Sequence, residues 1–272
     1  MAAKIWKRAV ELGDVVAMTN LGTLYQKGLG VKLDKKKAAR LFRMGADRGD
    51  AIAQNNLGAS LHSEKKFEEA VRYFVLAANQ GYTSGEGCLG VCYRDGQGTE
   101  VDLGKARYWF ERAAAKGDED AIAHLAELYE DGSGVKLDKK KAEQLYRAAA
   151  DRGDAVAQNN LGLFLDSEEK FEEAFRYFVL AANQGYTSGE TNLGCCCRDG
   201  DGTEQRFEEA ARYYALAANQ GCTDGEYNLG WCYQHGEGTE VDLGKARYWY
   251  ERAAAKGNEK AIHNLKYLDA RV

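Results

Sequence analysis

The residue types that could do chemistry in this 272-residue chain are seven cysteines, four histidines, a set of Gly-x-Gly strings and a recurring asparagine. The Gly-x-Gly strings stand at 28–30, 96–98, 132–134, 200–202 and 236–238. A dinucleotide site needs a third glycine and a preceding strand, and a P-loop needs Gly-Lys-Ser/Thr to follow; these strings have neither. Helix termination explains them better than phosphate binding. Residues 198–209 look superficially like a calcium loop, but counting from Asp199, Glu204 stands where the turn needs glycine. The cysteines are 88, 92, 195, 196, 197, 222 and 232. An odd number with three in a row is a poor disulfide framework, which points to reduced thiols in an intracellular, cytoplasmic chain. Cys92, Cys196 and Cys232 are equivalent positions of a repeat. Stacking sets such positions roughly 10 Å apart, too far to share a zinc with sulfur bonds of ~2.3 Å. Cys88 with Cys92, and Cys232 with His235, are bare pairs that read as small apolar residues. The four histidines fall in four different repeats. No metal, no cofactor and no enzymatic activity are expected.

Composition narrows the classes further. Lys plus Arg is 37 and Asp plus Glu is 42, a formal net charge of -5, which does not favour nucleic acid as a partner. No apolar run approaches the ~20 residues of a membrane span, and Lys and Arg interrupt the start MAAKIWKRAVELG where a signal peptide would need an apolar stretch. Proline is absent and glycine numbers 31, so glycine supplies the punctuation.

The elements that carry these residues follow from self-similarity. Leucines recur at 21, 57, 89, 125, 161, 193, 229 and 265, spaced 36, 32, 36, 36, 32, 36 and 36, and the set recurs at an offset of 104. Residues 50–86 and 154–190 differ at six positions; residues 100–117 and 240–257 differ only at Phe110/Tyr250. Each unit reads as two helices. The first carries Ala, Leu, Gly and Tyr on one face, as at Ala17, Leu21, Gly22 and Tyr25. Thr83 with Glu86, Thr187 with Glu190 and Thr223 with Glu226 fit a capping box. The Gly-x-Gly then supplies positive φ, and Asp34, Asp102, Asp138 and Asp242 stand where the second helix needs an N-cap. Aromatic pairs such as Trp109/Phe110 and Trp249/Tyr250 occupy one aligned place on it. The spacing predicts an all-α, right-handed superhelical solenoid of antiparallel helix pairs over 1–272. It has a lone helix in 1–13, seven pairs in 14–257 and a capping helix in 258–272, with Lys266 where other copies have glycine.

The pattern A-x-x-N-L-G-x-x-Y-x-x-G-x-G-V-x-x-D-x-x-K-A, followed by an aromatic pair and A-A-x-x-G, is clearest at 17–49, 121–153 and 225–257. It resembles the Sel-one-like repeat family, relatives of the tetratricopeptide repeats, over about residues 3–270. The resemblance implies a right-handed α-superhelix and an adaptor that assembles protein complexes. A secreted branch of that family pairs cysteines between the two helices of each repeat, and some of its members bind or hydrolyse β-lactams. This chain has no cysteine in any second helix, so a β-lactam-binding enzyme ranks behind a non-enzymatic scaffold. The near-identical copies without proline fit a third reading, a recently expanded or consensus-designed array with no evolved ligand.

By analogy with tetratricopeptide grooves, the first helices line the concave face. The residue before the repeated leucine is Asn at 20, 56, 160, 192, 228 and 264, and an amide can pair with a peptide backbone or tie neighbouring helices together. Trp231 is the one tryptophan on a first helix, with Tyr227 a turn before it, a composition typical of binding hot spots. The candidate peptide-binding residues are therefore Asn56, Arg94, Asn160, Asn192, Arg198, Tyr227, Asn228, Trp231 and His235. The expected partner is a protein or peptide, bound by a monomer for which end-to-end association is open.

Overall fold

The computed structural model describes residues 2–269, which hold sixteen helices and no strand. It divides into two compact units at Ala142/Glu143. The first contains α1 (Ala2–Glu11), α2 (Val15–Lys27), α3 (Lys35–Ala46), α4 (Ala51–Ser63), α5 (Phe67–Asn79), α6 (Thr83–Asp95), α7 (Leu103–Ala115), α8 (Glu119–Asp131) and the start of α9 (Lys139–Ala150). The second contains the rest of α9, then α10 (Ala155–Ser167), α11 (Phe171–Asn183), α12 (Thr187–Asp199), α13 (Phe207–Asn219), α14 (Thr223–His235), α15 (Leu243–Ala255) and α16 (Glu259–Asp269). The all-α array of helix pairs expected from the leucine spacing is present. The C-terminal cap was expected over 258–272, of which 270–272 lie outside the described residues.

Aspartate starts half of these helices. Asp14, Asp50, Asp118 and Asp154 accept the backbone N–H three residues on at first helices, and Asp34, Asp102, Asp138 and Asp242 do so at second helices. Such a cap contributes about 1 kcal/mol. Gly28, Gly96, Gly132, Gly200 and Gly236 end the first helices in the left-handed region. The two short repeats lack that glycine and place Lys65 (φ 61°) and Glu169 (φ 59°) there instead.

The capping boxes are not formed. The N-caps of α6, α12 and α14 are Tyr82, Tyr186 and Cys222, none with a side-chain cap bond, and each threonine is already the first helical residue. That one-residue offset turns Glu86, Glu190 and Glu226 inward, where all three are buried. The sequence motif is right in spacing but out of register with the helix start.

Within the units α2 packs on α3, α4 on α5, α6 on α7, α10 on α11, α12 on α13 and α14 on α15, and each of these second helices packs on the next first helix. First helices also approach one another in a row: α2, α4, α6 and α8 in one unit, and α10, α12 and α14 in the other. The close contact within a pair is made at the residue after the repeated leucine. A Cβ on Gly90 would lie 2.5 Å from the Phe110 ring, and one on Gly194 2.6 Å from Tyr214. The second glycine of every Gly-x-Gly but the first, whose Gly30 meets nothing within 4 Å, has a separate task. Gly98 and Gly238 lie directly on the backbone of Phe67 and Phe207, the first residues of α5 and α13, so the loop seats on the preceding pair.

Two glycines of α6 therefore predict opposite outcomes. Gly90→Ala should destabilise by about 1–3 kcal/mol, because Phe110 is fully buried and cannot retreat. Gly87→Ala, whose Cβ meets nothing nearer than 3.7 Å, should stabilise by about 0.5–1 kcal/mol through helix propensity. Urea denaturation followed by circular dichroism reads both.

Candidate functional site

Burying Glu86 and Glu226 requires partners, and the second helices provide them. Lys116 donates to Glu86 Oε2 at 2.8 Å and to the Gly81 carbonyl at 2.8 Å, and the Arg112 guanidinium pairs with the same carboxylate at 2.8 Å. Arg252 and Lys256 hold Glu226 in the same way. The short repeats use a neutral version, with Gln80 donating to Gln54 and Gln184 to Gln158. Glu190 combines the two: its partner is the Gln220 amide, at 2.9 Å. Burial pushes the Glu190 carboxyl above its ordinary value, and the amide offsets this only in part. These charges are thus framework, unavailable to a ligand.

The asparagine row serves the framework and the surface together. Asn192 Nδ2 donates to Asn159 Oδ1 of the preceding first helix at 2.9 Å, which leaves the Asn192 carbonyl oxygen free to accept. Asn56, Asn160 and Asn228 are half-buried on their own first helices. In the first unit Cys88 stands where Asn192 stands in the second, and the counterpart of Asn159, the buried Asn55, has an Oδ1 without a partner. At the start of the row Thr19 donates to the next N-cap, Asp50, at 2.6 Å.

The remaining candidates separate. Asn192, Tyr227 and Asn228 line one open depression of about 520 Å³ across α12, α14 and the start of α16, together with Thr191, Cys195, Asp224, Asn258, Glu259 and Lys260. Asn160 and Arg198 do not line it; Arg198 is held by the neighbouring Asp199 carboxylate at 2.7 Å. Trp231 does not line it either. It stacks on His235 of its own helix at 3.9 Å between ring centroids. His235 instead borders a second depression of about 420 Å³ with Gln234, Leu243, His263, Asn264, Tyr267 and Leu268. The histidine count by repeat missed that juxtaposition, because it arises between α14 and α16. In the first unit Arg94 is engaged by Asp95, by His124 at 2.8 Å and by Glu127, and Asn56 belongs to that unit as well.

The cysteines are all free, and burial raises the thiols of Cys88, Cys92, Cys195, Cys196, Cys197 and Cys232 above their ordinary value. Cys88 is pushed up to about 11, and Cys92, Cys196 and Cys232 to about 12, so the neutral thiol is the form present at neutral pH. Among the described residues no three His, Cys, Asp or Glu side chains are grouped so that they could hold a metal. No helix there is long and apolar enough to cross a membrane.

Helix pairs in tandem define the class of helical-repeat proteins. The Sel1 repeat model matches residues 15–50, 51–82, 89–118, 119–154, 155–186, 187–222 and 223–258, and the chain belongs to the Sel1 repeat family. Proteins of this family are generally protein–protein interaction scaffolds and are typically non-enzymatic. Among solved structures, a protective antigen of uropathogenic Escherichia coli with an SLR fold is 30% identical over 98% of this chain, with a TM-score of 0.68. This chain spans 59% of that antigen's length. A Sel1 repeat protein from Oxalobacter formigenes is 28% identical, covering 78% of this chain and 86% of its own, with a TM-score of 0.65. Yeast Tom70 shares the fold at 14% identity and a TM-score of 0.68, covering 99% of this chain and 58% of its own. A comparison with curated proteins finds no match.

Two substitutions test the polar network. Cys88→Asn should give Asn55 its missing donor and stabilise by about 1 kcal/mol, read as a rise in the urea midpoint. Glu190 has a folded value above its unfolded one. Its contribution is therefore full below the unfolded value and is lost as pH rises through the folded value. Glu190→Gln should raise the midpoint at pH 7 and leave it unchanged near pH 3, where both states are protonated.

Proposed function

We propose that this chain is a non-enzymatic adaptor, a cytoplasmic monomer that binds an extended segment of a partner protein along the first-helix row of its second unit. The observation that carries the reading is the depression over α12, α14 and α16. Asn192 and Asn228 occupy the same repeat position on successive first helices there, and Tyr227 stands beside Asn228. Asn192 has a free carbonyl oxygen, and the Asn228 amide makes no side-chain hydrogen bond among the described residues, so the pair presents both acceptor and donor to a peptide backbone. Tyr227 adds an aromatic surface with a polar tip, a residue type enriched at binding hot spots. Asp224, Glu259 and Lys260 rim the depression with both signs of charge, which supports recognition by backbone and shape over recognition by net charge. The neutral thiols suit a reducing compartment.

A random-peptide selection on immobilised protein, with a Tyr227→Ala/Asn228→Ala variant as counter-screen, tests this. Enriched peptides should lose at least about tenfold in affinity on the variant. Absence of enrichment on protein shown to be helical and monomeric would overturn it and leave the array without an evolved ligand at this surface.

A further inference from the structure

The first-helix row of the second unit carries two parallel stripes. One is the amide stripe before the repeated leucine, with Asn160, Asn192 and Asn228 on α10, α12 and α14. The other lies two residues after that leucine. Leu163, Cys195, Trp231 and Tyr267 stand there, where the first unit has Thr23, Ala59, Val91 and Glu127. Leu163 is 47% and Tyr267 43% exposed, and Cys195 and Trp231 are half-buried. Tyr227, one turn before Trp231, lies on the same side of α14. An uncharged apolar and aromatic stripe thus runs beside an uncharged amide stripe. Both α12 and α14 are interior helices packed on either side, so the row stays open with their neighbours in place.

The period of the row decides what can lie along it. Asn192 bridges to Asn159 of the preceding first helix at 2.9 Å, and helices in such contact are spaced about 8–10 Å apart. A β-strand presents the same face every second residue, about 6.7 Å, and falls out of step with the asparagines. An α-helix repeats a face after seven residues, about 10.5 Å, but its backbone groups are bonded internally and leave the amides only side chains to meet. A polyproline II helix presents the same face every third residue, about 9.3 Å, with its backbone unbonded. We propose that the segment bound in this groove is a proline-rich polyproline II helix, lying across the first helices so that every third residue meets an asparagine. This rests on the reading of the groove as a peptide site. Asn228 Nδ2 donates to a peptide carbonyl, which proline retains. The free Asn192 Oδ1 accepts a peptide N–H, so the residue facing it is not proline. The prolines between these residues pack on Tyr227 and Trp231, as such segments do in aromatic-lined grooves.

The probe is a fluorescein-labelled peptide of four Ala-Pro-Pro triplets, shown by circular dichroism to be polyproline II and titrated by anisotropy against the full-length protein. It should bind at least about tenfold more tightly than four Ala-Gly-Gly triplets, which match its length but are not preformed. An all-proline peptide of the same length, with no N–H for Asn192, should bind at least about fivefold more weakly. Asn228→Asp, close in shape but unable to donate, and Tyr227→Ala should each weaken the Ala-Pro-Pro peptide at least about fivefold, with the variants' helicity unchanged. The proposal fails if the Ala-Pro-Pro peptide binds no tighter than the Ala-Gly-Gly peptide, or if both variants bind it as the parent does. Equal binding by the all-proline peptide overturns the pairing with Asn192. The random-peptide selection separates this failure from that of the groove itself. Enriched peptides without proline that lose affinity on the Tyr227→Ala/Asn228→Ala variant would keep the groove and overturn the polyproline occupant, and absence of enrichment would overturn both.

Discussion

The fold depends on a missing side chain. After the repeated leucine the first helices α2, α4, α6, α10, α12 and α14 place a glycine against the ring of their own second helix, with no room for even one carbon between them, and α8 has Ala126 there instead. That contact sets how close the two helices of a pair come, and closeness is what fully buries Phe42, Phe110, Tyr214 and Tyr250. Because the ring is held by backbone, its identity is free within limits: phenylalanine and tyrosine both occur at this place, and Tyr214 and Tyr250 send their hydroxyls to Cys195 and Gln234. The repeat can therefore change its polar decoration while its geometry stays fixed.

The buried polar layer shows how far that freedom extends. Glutamate on a first helix goes with arginine and lysine on the second, and glutamine goes with glutamine. Each combination is self-consistent, since a buried charge needs an opposite charge and a buried amide needs only another amide. The repeat at 187–222 breaks the match. Its first helix is of the glutamate kind, while its second helix, FEEAARYYALAANQ, is of the glutamine kind seen in α5 and α11. Glu190 is left with an amide where its relatives have two cations, and its raised pKa is the physical trace of that combination. The same logic explains Asn55, stranded because Cys88 replaced the amide that Asn192 supplies elsewhere.

Much of this was legible in the sequence, and the failures have a common cause. Leucine spacing, aspartate caps and terminating glycines are local signals, and the structure bears them out. The capping boxes failed because Thr83 and Glu86 have the right spacing from one residue beyond the true N-cap, and only the second helix reveals that Glu86 turns inward. Gly98 was read as a terminator, but its neighbour is Phe67, thirty-one residues earlier in the chain. The stack of Trp231 on His235 was likewise invisible in composition. In each case the deciding contact depends on a rotamer or on a residue about a repeat away, where periodicity shows that a neighbour exists but not which atoms face it.

Surfaces free of framework duty are correspondingly few. Along the first-helix rows most charged side chains are already engaged, Arg94 with Asp95, His124 and Glu127, and Arg198 with Asp199. What is left for a partner is chiefly neutral: the amides of Asn192 and Asn228 and the ring of Tyr227. These residues are free to vary from repeat to repeat because the glycine, ring and buried polar layer that fix the geometry lie elsewhere.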